Sequence, residues 1–230
     1  MTHYFIEFRF QGKAKYEMKK MIYDIDRKFH LKQTRRKRPI PHVTIVAPFY
    51  TNKQKQLVKD FYDISKKHPF IKFKINGYGC FDNSKVVYIN IEPSNELIQF
   101  RKDLVKQIKK YSTLKDYDNK DNYKPHATLA MKLNDAQFNK VKTYVLNKKS
   151  TSKDYSMVRV TLIKGNKILY EYDFLQRKLF NRRQSLSKRI FRETIKKLKQ
   201  QPRSQQVFSS QTKRLQKASF WHKIKLLFFK

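Results

Sequence analysis

An α+β fold built from a duplicated unit, with a basic helical tail, is predicted from three features of the chain. One order of elements, strand then helix then hairpin, occurs twice, over about residues 39–92 and 123–175. Each copy opens on the same phrase, Pro41-His42-Val43-Thr44-Ile45 in the first and Pro125-His126-Ala127-Thr128-Leu129 in the second. Beyond residue 176 the composition shifts to 17 Lys and Arg against the single acid Glu193, which sets 177–230 apart from a domain over 1–176.

The elements follow from periodicity. Tyr4 to Phe10 alternates as a strand, and Lys13 to Lys32 carries Met18, Met21, Ile22, Ile25 and Phe29 at helical spacing. Thr34 to Arg38 reads as a basic loop; Pro39 and Pro41 forbid a helix, so His42 to Ala47 is the first signature strand. Asn52 is expected to cap a helix that runs to about Lys67. Phe70–Ile75 and Val86–Ile91 read as two strands joined by a turn over Gly77 to Asn83. Ser94 is expected to cap a helix carrying Leu97, Ile98, Leu104, Val105 and Ile108. After the polar stretch Asp116 to Asn122 the order restarts, with a signature strand His126–Met131, a helix from about Asn134 to Leu146, and strands Met157–Ile163 and Ile168–Phe174. In the tail, Leu186, Ile190, Phe191, Ile195 and Leu198 form a helical stripe. A polar linker, Gln201 to Thr212, separates it from a second stripe of Phe220, Ile224, Leu227 and Phe228 beside Trp221.

Composition bounds the chemistry. At 230 residues, with 39% hydrophobic and 14% aromatic side chains, the chain can bury a substantial core. Its 54 Lys and Arg against 18 Asp and Glu give a net charge of +36, which favours anionic partners such as RNA or an anionic lipid face. The single cysteine, Cys80, excludes an internal disulfide and a cysteine-cluster metal site, and is read as a small buried apolar residue. The N-terminus reads directly as a strand, and no apolar run approaches the roughly 18 residues of a membrane span, so a cytoplasmic protein without a span is expected.

On a strand, residues two apart face the same side, so His42 projects with Thr44 and His126 with Thr128, while Val43, Ile45, Ala127 and Leu129 face the core. Two imidazoles in one cleft suit phosphodiester cleavage: one takes a proton from the attacking water and the other protonates the departing ribose oxygen. Each threonine hydroxyl can donate to a non-bridging phosphate oxygen and stabilise the charge that builds there. The residues do not say which histidine is the base. Tyr123 and Lys124, directly before the second phrase, and Arg38, in the loop before the first, are further candidates for holding phosphate or stacking a base. No carboxylate, cysteine or second histidine lies near His42 in sequence, and only Asp121 lies near His126, so neither a metal nor any other cofactor is expected.

The paired His-x-Thr phrases resemble those of the two-histidine phosphoesterases, the superfamily of 2′-5′ RNA ligase-like proteins and cyclic nucleotide phosphodiesterases. The resemblance covers roughly residues 1–175. It implies two lobes related by a pseudo-two-fold axis, each an antiparallel sheet with outer helices, around a central cleft. It further implies a metal-independent reaction on a 2′,3′-cyclic or 2′-5′ phosphodiester of RNA or a nucleotide. A module that binds RNA or nucleotides without turnover, through the same cleft, is the alternative. A monomer is expected, with the tail 177–230 attaching peripherally to an anionic membrane face or to RNA.

Overall fold

The protein is described by a computed structural model over residues 3–34, 38–114, 123–149 and 152–200. Among the described residues, nine strands form two antiparallel sheets. The first sheet holds β1 (His3–Arg9), β2 (His42–Tyr50), β7 (Arg159–Lys164), β8 (Lys167–Asp173) and β9 (Lys178–Asn181), in the order β2-β1-β7-β8-β9. The second holds β3 (Ile71–Phe81), β4 (Val86–Pro93), β5 (His126–Ala130) and β6 (Ser152–Met157), in the order β5-β4-β3-β6. The two signature strands β2 and β5 are thus edge strands of different sheets and lie beside one another. An edge is where a strand tolerates the missing N–H of a proline, as at Pro41 and Pro125. Each proline still uses its carbonyl: Pro41 accepts from the Phe10 N–H at 3.1 Å and Pro125 from the Ile91 N–H at 3.3 Å.

Among the described residues, six α-helices cover the sheets. In α1 (Gly12–Lys28), Met18, Ile22 and Ile25 are buried, as their spacing predicts, and the helix packs by β5. In α2 (Gln54–Lys67), Leu57, Phe61 and Ile64 are buried, and α3 (Asn95–Ile108) buries Leu97, Phe100, Leu104, Val105 and Ile108. Both helices reach β8 and the residue after it, through the Tyr62–Tyr172 and Phe100–Phe174 ring contacts. The α4 helix (Asp135–Leu146) lies against β3 and β4. Ser94 caps α3, accepting from the Leu97 N–H, and Asn134 caps α4 in a reciprocal box with Gln137. Asn52 does not cap α2: the N-cap position is Lys53, which makes no side-chain cap hydrogen bond. Among the described residues no helix is long and apolar enough to cross a membrane.

Three further differences from the sequence expectation matter for the site. The segment from Gly77 to Phe81 is not a turn but the second half of β3, which runs on to Phe81 after an irregularity between Ile75 and Tyr78 where Gly77 adopts φ +76°. Cys80, in this stretch, is therefore half-buried on a strand rather than fully enclosed. The polar segment β6 escapes notice because it is an exposed edge strand that turns only Tyr155 and Met157 inward. Finally, β9, α5 (Arg182–Ser185) and α6 (Lys188–Gln200) lie within the basic extension, and β9 completes the first sheet beside β8. Ile190, Phe191, Ile195 and Leu198 are half-buried along α6 as the stripe predicts, whereas Leu186, before the helix, is 60% exposed. The second tail stripe around Trp221 lies outside the described residues, as do Arg35, Arg36, Lys37 and Asp121.

The two repeats exchange their hairpins. The first repeat places β2 in the first sheet and its hairpin β3–β4 in the second; the second repeat places β5 in the second sheet and its hairpin β7–β8 in the first. The chain crosses between sheets at Val158, between β6 and β7.

Candidate active site

The phrases alternate as strand geometry requires. Val43, Ile45, Ala127 and Leu129 are buried in the core, and His42, Thr44, His126 and Thr128 are half-buried on the opposite face. Each imidazole is fixed from within its own phrase. His42 Nδ1 lies 2.8 Å from the Ile40 carbonyl and His126 Nδ1 lies 3.0 Å from the Lys124 carbonyl. A carbonyl only accepts, so Nδ1 carries the proton in both rings, and each Nε2 is left to accept or donate a proton at the open side.

What surrounds the two rings differs, and strand register shows how. Opposite Thr44 on β1 stands Glu7, and opposite His42 stands Arg9. At the corresponding places on β4, Tyr88 stands opposite Thr128 and Asn90 opposite His126. Glu7 is buried, with one carboxylate oxygen ion-paired to Arg9 Nε and the other 3.7 Å from His42 Nε2. The first imidazole therefore has a buried carboxylate beside its Nε2.

His126 instead sits in an aromatic enclosure. Its ring centroid is 4.9 Å from that of Phe81, edge to face, and 5.1 Å from that of Tyr88. Burial is the main cause that holds its imidazole below the ordinary histidine range; the bond to the Lys124 carbonyl opposes this, and the positive charges of His42 and Lys124 add to it. The two rings stand on neighbouring strands, β2 and β5, each on the face turned away from the core.

Gly79 is the reason the enclosure can close. It pairs with Tyr88 across β3 and β4, and a Cβ at this position would stand 2.7 Å from the Tyr88 ring and hydroxyl. Tyr88 is fully buried and has nowhere to retreat. Gly79→Ala is expected to cost about 1–3 kcal/mol of stability by overpacking and to lower activity by displacing Tyr88 from His126. A melting curve and turnover indistinguishable from those of the parent would refute this.

The weaker sequence candidates separate into different settings. Tyr123 is a strut: its hydroxyl donates to the Thr44 carbonyl at 2.8 Å and its ring lies 4.2 Å under the Arg101 guanidinium, tying the start of one phrase to the strand of the other. Burial raises its phenol above the usual tyrosine range. Lys124 is exposed, its Nζ 5.7 Å and 5.9 Å from the Tyr88 and Phe81 ring centroids, at the rim of the His126 enclosure. Arg38 is exposed in the segment leading into β2. Among the described residues no group of three His, Cys, Asp or Glu side chains is placed to hold a metal ion.

Sequence reasoning missed Glu7, Arg9, Phe81 and Tyr88, which come from neighbouring strands. No sequence signal marks Glu7: alternation puts it with Arg9 on the polar face of the strand Tyr4 to Phe10, where an acid is ordinary.

The sequence model of the 2′-5′ RNA ligase superfamily matches residues 16–167. No curated protein sequence matches the chain. Among solved structures the chain is similar to apo LigT of E. coli, with 17% identity, a TM-score of 0.49, and coverage of 75% of this chain and 96% of that one. LigT complexed with 3′-AMP aligns at 18% identity over 78% of this chain and 92% of that one, with a TM-score of 0.45. Kluyveromyces marxianus Usb1 aligns at 9% identity over 72% of this chain and 95% of that one, with a TM-score of 0.46.

Proposed function

Since the chain belongs to the 2′-5′ RNA ligase superfamily of two-histidine phosphoesterases, we propose that it cleaves a 2′,3′-cyclic or 2′-5′ phosphodiester of RNA or a nucleotide without a metal. The observation that carries this reading is the matched pair of histidines, each held by an Nδ1–carbonyl contact that turns Nε2 outward. In the hydrolysis of a cyclic phosphate, water oxygen attacks phosphorus and its proton passes to one Nε2. The P–O bond to the ribose oxygen breaks, and that oxygen takes the proton carried by the other Nε2. The product is a phosphomonoester, and proton exchange with solvent resets both rings. Thr44 and Thr128 donate to the non-bridging oxygens as negative charge accumulates.

The asymmetry of the surroundings supports a division of roles. His126, desolvated by Phe81 and Tyr88, is the ring kept neutral and serves as the base. His42, with the buried Glu7 carboxylate 3.7 Å from Nε2, has an ion-pair partner when protonated and serves as the acid.

The test is a panel of 2′,3′-cyclic phosphates and 2′-5′ linked dinucleotides with product identification, run across pH and with EDTA. Turnover of at least one class, insensitive to EDTA, is expected; salt-dependent RNA binding without product from any substrate would favour the binding module instead. Activity requires neutral His126, so kcat/KM should fall as pH drops through a pKa below the ordinary histidine value. In Phe81→Ala, water reaches the ring, its pKa rises, and this acid limb should move to higher pH. An unmoved acid limb, or a shift confined to the alkaline limb, would overturn the assignment.

A further inference from the structure

The face of the first sheet that carries His42 and Thr44 does not end at β1. Thr44, Glu7, Thr161 and Glu171 stand directly opposite one another across β2, β1, β7 and β8, and opposed residues share a face. The Thr161 hydroxyl accordingly donates to Glu171 at 2.9 Å. Three strand spacings place Glu171 about 14 Å to the side of Thr44. Arg159 and Asp173, two residues along their strands, face the same way, and α6 lies on them. Thr194 of α6 accepts from Arg159 Nη2 at 2.6 Å and donates to Asp173 Oδ2 at 2.5 Å, and Phe191 of α6 lies over the Arg159 guanidinium. The helix thus stands as a fixed wall on the cleft side of the first sheet.

Its outer surface is cationic. Arg189, Arg192, Lys196 and Lys199 fall at spacings of three and four residues, on the side opposite Thr194, and all are exposed. Ile190, Phe191, Ile195 and Leu198 are half-buried beside Thr194. Insertion into a membrane needs an outward apolar face, which this helix has already turned toward the protein, while its exposed charge matches a phosphate backbone.

We propose that α6 is the docking surface for the single-stranded RNA body behind the reacting phosphodiester. This rests on the phosphoesterase reading, in which the terminal phosphate lies between His42 and His126. RNA leaving the cleft along the first sheet runs toward Glu171, about 14 Å to the side of Thr44, and from there meets the cations of α6. The helix then distinguishes an oligonucleotide end from a free nucleotide.

The experiment compares the full chain with an R192E/K196E/K199E variant, on a 12-nucleotide RNA ending in a 2′,3′-cyclic phosphate and on uridine 2′,3′-cyclic phosphate. The variant is expected to raise KM for the 12-mer at least about tenfold and leave the mononucleotide unchanged. The slope of log affinity against log salt should also become shallower by about two, because three cations no longer neutralise phosphates of the strand. Equal kinetics on the 12-mer, or equal losses on both substrates, would overturn the proposal. So would loss of phosphatidylserine-vesicle binding with 12-mer binding intact, which would make the helix a membrane surface. Should the parent turn over neither substrate, the catalytic reading fails on its own. Anisotropy of a 12-mer ending in a 3′-hydroxyl then decides the docking surface: salt-dependent binding lost in the variant supports it, and no difference overturns it.

Discussion

His42→Ala and His126→Ala should each lower turnover by at least about 10²-fold while leaving the melting temperature close to that of the parent. The magnitude follows from what each ring supplies. One positioned proton donor or acceptor contributes about 10²–10⁴-fold, and the proposed reaction needs both transfers. The fold should tolerate both changes because each ring is half-buried, at the cleft face rather than in the core, and its anchor is the carbonyl two residues upstream. The double variant should lose far less than the product of the single losses, since in the proposed mechanism the two rings act in one transition state and removing either already disables the transfer. Glu7→Gln provides the finer readout: with the carboxylate charge gone from beside His42 Nε2, turnover should fall while the acid limb of the pH profile, which belongs to His126, stays in place. Full activity in either alanine variant would eliminate the mechanism.

The largest stability effect is expected at Asp173, which is completely buried. One carboxylate oxygen accepts from Arg159 Nε at 2.7 Å and from Thr194, and the other accepts from the Leu175 and Gln176 backbone N–H groups at 3.0 and 2.8 Å. Gln176 in turn donates to Thr194 and to the Ile190 carbonyl. Asp173→Ala leaves a guanidinium that is 4% exposed without its nearest counter-charge, strips two turn donors of their acceptor, and frees Thr194. Breaking one side of a buried ion pair costs about 3–5 kcal/mol, and little of that should be recovered in high salt, which screens buried charge poorly. Denaturant unfolding measures the cost, and limited trypsin digestion at Lys188 and Arg189 reports release of α6. A loss below about 1 kcal/mol would show that α6 is held by other contacts.

The same network explains why a truncation at 177 would not be a clean test of the tail. It would remove β9 and Thr194, leaving the edge of β8 and the Arg159–Asp173 pair open. A tail deletion that spares the domain has to begin after residue 200.

What can be read along the chain is local. The His-x-Thr spacing reports its own geometry because strand periodicity needs no partner, and Ser94 reports its cap because the acceptor and donor lie three residues apart. Glu7, Arg9 and Tyr88 depend on which residue faces which across a ladder, and register is set by the whole sheet. Gly79 reads as turn punctuation because a glycine required by a neighbouring ring has the same letter as one required by a bend. Thr194 reads as one polar residue in an amphipathic stripe, although it is the residue through which that stripe is anchored.

The exchange of hairpins between repeats sets the order in which the protein can assemble. β1 finds β2 across a single helix, but its other edge waits for β7, so Phe5 meets Ile163 and Glu7 meets Thr161 only after most of the chain has been traversed. Closing so long a loop is entropically costly, and topologies rich in distant pairings fold slowly. Until β7 arrives, β1 and β2 form a two-stranded ribbon, which is marginal in water. A chain growing from its N-terminus therefore holds His42 in an unfinished sheet, and the imidazole pair comes together only when the second repeat delivers its hairpin to the first.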